Sequence, residues 1–135
     1  MPTKAPQHDV RVTLLVIAYR MRDTIAATIA SALAQTYPCE IIVSDDSSGD
    51  GTLEAARAAV RGDPSASNVM VRSTACNLGL CAHLNELAAL AQGEILVFLS
   101  GDDVAYPERV EKLVAAFRTH PRAQVVGSAV DDVDA

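Results

Sequence analysis

Tryptophan is absent from this chain, and its aromatic side chains amount to two phenylalanines and three tyrosines beside three histidines. The apolar half of the composition is therefore carried by Ala, Val, Leu and Ile, which suits helices packed on a buried sheet. Basic charge is equally scarce. The net charge is −6, the pI is near 4.9, and the only lysines are Lys4 and Lys112. No basic stripe is available for a nucleic-acid partner. Apolar runs such as "ILVFL" are far too short to span a bilayer. The opening "MPTKAPQHDV" has no apolar h-region of a signal peptide, so residues 1–10 are expected to form a flexible arm ahead of one domain over 11–135.

Cys39, Cys76 and Cys81 are an odd number without a C-x-x-C pair, the pattern of reduced thiols in a cytoplasmic protein. His8, His83 and His120 are scattered and give no ligand spacing, which disfavours a soft-ligand zinc site. No G-x-G-x-x-G follows the first apolar run, no G-x-x-x-x-G-K-[ST] occurs, and no G-x-S-x-G elbow is present. Dinucleotide-dependent dehydrogenases, P-loop enzymes and the common hydrolases are thereby disfavoured.

What is present alternates between two periods. Strands are expected at 11–19 ("RVTLLVIAY"), 40–44 ("EIIVS"), 68–73 ("NVMVRS"), 94–100 ("EILVFLS") and 123–130 ("AQVVGSAV"). Helical spacing separates them: Ile25, Ile29, Ala32 and Leu33 after an Asp23 N-cap; Leu53, Ala56 and Val60; Leu84, Leu87 and Ala91 ahead of a stop at Gly93; and Val110, Leu113, Val114 and Phe117 with Pro107 at the first helical position. Such an alternation with short connections predicts an α/β fold, a mostly parallel sheet between two helical layers.

In open sheets of this kind ligands sit outside the carboxyl ends of the strands. Tyr19, the pair Asp45–Asp46 and the pair Asp102–Asp103 all fall there. Adjacent carboxylates converging on one rim repel unless a cation relieves them, and a hard divalent ion such as Mg²⁺ or Mn²⁺ does so while keeping positions open for phosphate oxygens. Asp46 and Asp102 are the strongest candidates, with Gly101 allowing close approach of a ligand to the backbone. Asp50 reads as a helix cap. Tyr19 either ends a strand as an ordinary aromatic or offers its face to a nucleobase. Arg20 and Arg22 beside it either meet phosphates or are ordinary surface arginines, and Asn77 with Gly79 reads as a cap and turn before a helix.

Six segments in order, "VIAYRMRDT", "IASALAQTYP", "EIIVSDDSSGDGT", "NLGLCAHLN", "AQGEILVFLSGDD" and "YPERVEKL", resemble the inverting family 2 glycosyltransferases of the GT-A fold. The resemblance covers residues 11 to 130. It implies a Rossmann-like nucleotide-diphospho-sugar transferase domain. It implies that Tyr19, with Ala18 beside it, stacks on the base, that Asp46 supported by Asp45 recognises the uracil or its ribose, and that Asn77, Ser100 and Gly101 belong to the same nucleotide-sugar site. Asp102 matches the last Asp of the D-x-D motif, which binds Mn²⁺ or Mg²⁺, and Asp103 is a second candidate metal ligand. Ser100 stands where that motif has its first Asp.

Family members continue into an acceptor-binding half, so the chain reads as truncated, with the catalytic base expected beyond residue 135. The implied partners are a nucleotide-sugar donor, most simply a UDP-sugar, and a glycan or lipid-linked acceptor at the inner face of the membrane, in cell-surface polysaccharide biosynthesis. An edge left open after the fifth strand would let a second copy pair as a homodimer. Two other readings compete. A non-catalytic nucleotide-binding remnant would fit the Ser100 departure. A receiver-type phosphoacceptor domain has five parallel strands, but needs an acidic pair after its first strand and a Lys after its fifth, where this chain has Ala18–Tyr19 and no lysine.

Overall fold

The computed structural model describes residues 9–133. Strands β1 (Val12–Ala18), β2 (Glu40–Asp45), β3 (Val69–Ser73) and β4 (Ile95–Ser100) alternate with helices α1 (Ile25–Leu33), α2 (Thr52–Val60), α3 (Leu80–Leu90) and α4 (Arg109–Thr119). The sheet runs β3-β2-β1-β4 and every pairing is parallel. Central β1 explains its own sequence: Leu14, Leu15 and Val16 are all fully buried, so both faces of the strand must be apolar.

The two helical layers are unequal. Val12, Leu14, Val16 and Ala18 join Ile41, Val43, Val97 and Leu99 in a large core closed by Ile25 and Ile29 of α1, Ala56 of α2 and Val110 and Val114 of α4. Each fully buried Ile or Val in this layer stabilises the fold by about 1.5–3 kcal/mol. On the opposite face, Leu15 and Ile42 meet Leu87 of α3, with Ile17 and Leu96 at its margin. Phe98, in register with Leu15, remains 46% exposed on that face.

The expected fifth strand is not formed. Residues 124–133 carry no regular secondary structure, and Val125 and Val130 are exposed, while Val126 alone of that stretch packs against the core. The reason lies at the β4 edge: Arg109 Nη1 donates to the Phe98 carbonyl at 3.1 Å and its Nε reaches Ser128 Oγ at 3.3 Å. One carbonyl that a fifth strand would need is thus already satisfied, and Gly127 weakens strand formation in the middle of the segment. The edge expected to pair with a second copy is therefore not there in that form.

Two helix starts also shift. Thr24, not Asp23, is the N-cap of α1, and Asp23 instead accepts from Arg22 Nε at 3.2 Å. Pro107 sits in the turn before α4, where its carbonyl accepts from Thr36 N at 2.9 Å and ties the loop after α1 to the start of α4. The expected arm at 1–10 lies outside the described residues except for Asp9 and Val10. Val10 is held by the Tyr37 hydroxyl, which donates to its carbonyl at 2.7 Å.

Candidate functional site

The carboxyl ends of the strands are tied together by rungs that continue past the sheet. Asp46 N donates to the Ala18 carbonyl and Gly101 N to the Ile17 carbonyl, each at 2.8 Å, and Thr74 N donates to the Asp45 carbonyl at 3.0 Å. Tyr19, Asp46, Thr74 and Gly101 thereby share one rim. Ala18 is buried and contributes a carbonyl to this frame rather than a surface for a ligand.

Both carboxylates that end β2 turn inward, contrary to their expected place against a ligand. Asp45, 4% exposed, accepts from the Ser48 hydroxyl, from Ser48 N at 3.1 Å and from Ser73 Oγ at 3.3 Å. Asp46, 3% exposed, accepts from Thr74 Oγ1 at 3.0 Å and from the backbone N–H groups of Leu78 and Gly79 at 2.9 Å each. Asn77 adds a bond from its Nδ2 to the Asp46 carbonyl at 3.1 Å. Burial works to raise the Asp46 pKa. The bonds from Leu78, Thr74 and Gly79 outweigh it and hold the group below the ordinary carboxylate value. Asp46 and Asn77 therefore set the loop that leads into α3. Asp50 behaves as the sequence indicates, its Oδ1 accepting from both Thr52 N and Thr52 Oγ1 at the start of α2.

Gly101 does not open the backbone to a ligand. A Cβ there would lie 2.9 Å from Met21 Sδ, 3.0 Å from Ile25 Cδ1 and 3.1 Å from Ala18 Cβ, so the missing side chain is what lets β4 close on α1. Thr24 Oγ1 seals this contact by donating to the Gly101 carbonyl at 2.9 Å. Beyond it the chain turns through Asp103 N, which donates to the Ser100 carbonyl at 3.0 Å, and Asp102 is left exposed with its Oδ1 accepting from Ser100 Oγ.

These elements enclose an open cleft of about 490 Å³ lined by Tyr19, Arg20, Met21, Arg22, Asp23, Thr24, Asp50 and Asp102. Tyr19 is 41% exposed there, and Arg20 lies with its guanidinium carbon 5.1 Å from the Tyr19 ring centroid. A larger hollow, about 630 Å³, lies at the amino ends of the strands beside Tyr37, Cys39, Glu40 and Gly93. Burial pushes the Cys39 thiol up to about 11, so it carries no nucleophilic thiolate near neutrality. The carboxyl-end cleft is the one that gathers charge and an exposed aromatic, and it occupies the position where parallel sheets bind ligands.

Asp102 is the single carboxylate from the end of β4 that lines the cleft; Asp103 does not, and its charge acts on Arg109 instead. Among the described residues no three His, Cys, Asp or Glu side chains converge as a metal cage. One exposed carboxylate nevertheless matches the hard-oxygen donor set of Mg²⁺ or Mn²⁺, which bind through one or two carboxylates and fill their remaining positions with water and substrate phosphates.

A buried polar network behind the rim has no counterpart in the sequence reading. His83 of α3, 1% exposed, pairs through Nε2 with Ser44 Oγ at 2.7 Å, and Arg72 Nη1 donates to the same hydroxyl at 3.3 Å while its Nη2 pairs with Glu86. Burial lowers the His83 pKa, Asp46 opposes this, and Arg72 lowers it further. Spacing alone dismissed His83 as scattered. The available signal was its place one turn before Leu87 on the buried stripe of α3, opposite Ser44, which follows the apolar run 41–43 of β2.

The chain matches the family described as Glycosyl transferase family 2 over residues 13–134. It is 35% identical over 123 residues to EpsE of Bacillus subtilis (strain 168), covering 89% of this chain and 43% of that protein. It is 34% identical over 93 residues to the UDP-Glc:alpha-D-GlcNAc-diphosphoundecaprenol beta-1,3-glucosyltransferase WfaP of Escherichia coli, covering 68% of this chain and 35% of that protein. Among solved structures it resembles the mannosyltransferase PcManGT from Pyrobaculum calidifontis in complex with GDP-Man and Mn²⁺, with a TM-score of 0.71 and 27% identity over 90% of this chain and 35% of the other. The fold is shared with TarS 1-349 of S. aureus in complex with UDP-GlcNAc, with a TM-score of 0.71 and 23% identity over 90% of this chain and 37% of the other. The chain thus spans less than half the length of these relatives. With the family matched over nearly all of its sequence and the parallel sheet carrying the matched motifs to one rim, the chain belongs to glycosyl transferase family 2.

Proposed function

We propose that this chain is the donor-binding part of an inverting glycosyltransferase that takes a UDP-sugar together with Mn²⁺ or Mg²⁺. The observation that carries this reading is the shared cleft: Tyr19 from the end of β1 and Asp102 from the end of β4 line one space of about 490 Å³. Tyr19 offers a flat face for the base. Asp102, oriented by the Ser100 hydroxyl, is the residue that would hold the divalent cation. Asp45, Asp46 and Asn77 act one step back, keeping the β2 and β3 ends and the entry to α3 in place. Bound there, the cation supplies Lewis-acid stabilisation of the departing nucleoside diphosphate.

Transfer in this reading is a single displacement at the anomeric carbon. The base that deprotonates the acceptor hydroxyl belongs to a part of the longer protein, and no carboxylate of the described residues is given that role. The acceptor is a glycan or lipid-linked glycan at the cytoplasmic face of the membrane, by analogy with the WfaP relative, whose name specifies a diphosphoundecaprenol-linked acceptor. Among the described residues no helix is long and apolar enough to cross a membrane.

Calorimetric titration of UDP, with GDP for comparison, tests the reading. UDP should bind more tightly with Mn²⁺ than with chelator and more tightly than GDP. Failure of both nucleotides to bind with Mn²⁺ present would contradict it.

A further inference from the structure

Arg20 is held in a way that its neighbours in sequence are not. Its backbone is left-handed, with φ +56°, a region that residues other than Gly and Asn rarely adopt. The β2–α2 connection imposes this conformation. Arg20 N donates to Ser48 Oγ at 2.8 Å, Ser48 in turn donates to the buried Asp45, and the next amide, Met21 N, donates to Thr52 Oγ1 at 3.0 Å. Such strain persists where surrounding bonds over-determine it, and it concentrates at functional sites. With the backbone so held, the guanidinium carbon lies over the Tyr19 ring, 5.1 Å from its centroid, and both residues line the cleft.

Charge makes the same residue stand out. The cleft contains the carboxylates of Asp23, Asp50 and Asp102 and the guanidiniums of Arg20 and Arg22. Arg22 is engaged, with Nε on Asp23 at 3.2 Å. No carboxylate pairs with Arg20 among the described residues. An incoming diphosphate would meet an acidic wall, and Ser100 leaves a single β4-end carboxylate, Asp102, to recruit a metal there.

We infer that Arg20 is the anion-binding residue of this cleft and engages the phosphates of the nucleotide through its free N–H edge. The inference rests on the nucleotide reading of the cleft given above. The cation–π contact uses none of the Arg20 N–H donors, which sit in the planar fork that matches phosphate oxygens and make no side-chain hydrogen bond among the described residues. Asp45 and Ser48 then act on the ligand through Arg20, by holding its backbone where the side chain lies over Tyr19. Part of the diphosphate affinity consequently does not require a metal.

The test compares wild type, Arg20→Asn and Arg20→Lys by calorimetry with UDP, UMP and uridine in the presence of chelator, with thermal unfolding measured alongside. Asn tolerates the left-handed backbone, so Arg20→Asn should unfold at the wild-type temperature. It should bind UDP about ten- to hundredfold more weakly than wild type, the worth of a charge-assisted bond, while uridine affinity stays within about twofold. Arg20→Lys should fall between the two, keeping charge without the fork. Wild-type UDP affinity in Arg20→Asn, or equal losses for uridine and UDP, would overturn the inference while leaving the nucleotide site intact. No binding of any nucleotide to wild type, with chelator or with Mn²⁺, would overturn both readings.

Discussion

The Ser100 hydroxyl lies 2.5 Å from Oδ1 of Asp102. This contact changes the meaning of Ser100, which stands where the D-x-D motif of the resemblance has its first Asp. Ser100 is not a vacancy where a carboxylate should be; it donates a hydrogen bond that fixes the rotamer of the remaining ligand candidate. Outer partners of this type tune metal affinity by about 10–100-fold. Ser100→Ala should therefore weaken Mn²⁺-dependent UDP binding by roughly tenfold and leave chelator-resistant binding unchanged, as read by calorimetry. Equal Mn²⁺ dependence in the variant would show that the contact has no part in the site.

Asp46 makes a different prediction, because its carboxylate builds the fold. Asp46→Ala would leave the N–H groups of Leu78 and Gly79 and the Thr74 hydroxyl without their acceptor. Each unsatisfied buried donor costs about 1–3 kcal/mol, so urea unfolding should show a loss of at least about 2 kcal/mol. The pKa shift sets the pH window. Asp46 titrates below its ordinary value of 3.8, so its contribution is complete above that value and is lost as the pH falls through the lower folded value. The difference in unfolding free energy between wild type and Asp46→Asn should shrink as the pH is lowered below about 4.

His83 acts in the next window up. Its folded pKa lies below the ordinary 6.5, so the fold favours the neutral ring. Stability from this group is present above 6.5 and declines as the pH falls from there through the folded value. Protonation would place an imidazolium beside Arg72 on the same Ser44 hydroxyl. As the pH falls below 6.5 the wild type should lose stability with a slope of up to about 1.4 kcal/mol per pH unit, and His83→Gln should flatten that slope. A parallel slope in the variant would remove His83 from the account.

Two glycines should resist substitution for reasons of contact. A Cβ on Gly93 would sit 2.4 Å from Thr13 N and 2.7 Å from Thr13 Oγ1, against central-strand backbone that cannot give way. At Gly101 the nearest atoms are the ends of Met21 and Ile25. Overpacking typically costs about 1–3 kcal/mol, so Gly101→Ala should fall in that range and Gly93→Ala at or above its top, by denaturant unfolding. The reverse order would mean that the β1 backbone at Thr13 is softer than the α1–β4 contact.

Period and punctuation were enough to read the four strands, the four helices and the rim, because β1 is buried on both faces and each helix shows one apolar stripe. The fifth strand does not form, for a reason of tertiary origin. "AQVVGSAV" has strand-like composition, but Arg109, the first residue of α4, reaches across to satisfy the β4 carbonyl that such a strand would use. The site divided in the same way. Tyr19 and Asp102 were legible from their positions at strand ends. The inward turn of Asp45 and Asp46 was not, since it depends on donors from Thr74, Leu78 and Gly79 some thirty positions away. The constraint on Arg20 was hidden for the same reason, because Ser48 must fold back onto it before the left-handed backbone is needed.

The central claim is that Tyr19 and Asp102 bound one nucleotide–metal site at the carboxyl ends of the strands. Paramagnetic broadening of backbone amide signals by Mn²⁺ in the presence of UDP tests it most directly. Broadening should centre on Ser100 to Asp103 and extend to Tyr19, Arg20 and Met21, should be lost in Asp102→Asn, and should spare Cys39, Gln92 and Gly93 at the opposite end. Broadening around the amino-end hollow, or broadening at the rim that survives in Asp102→Asn, would contradict the account.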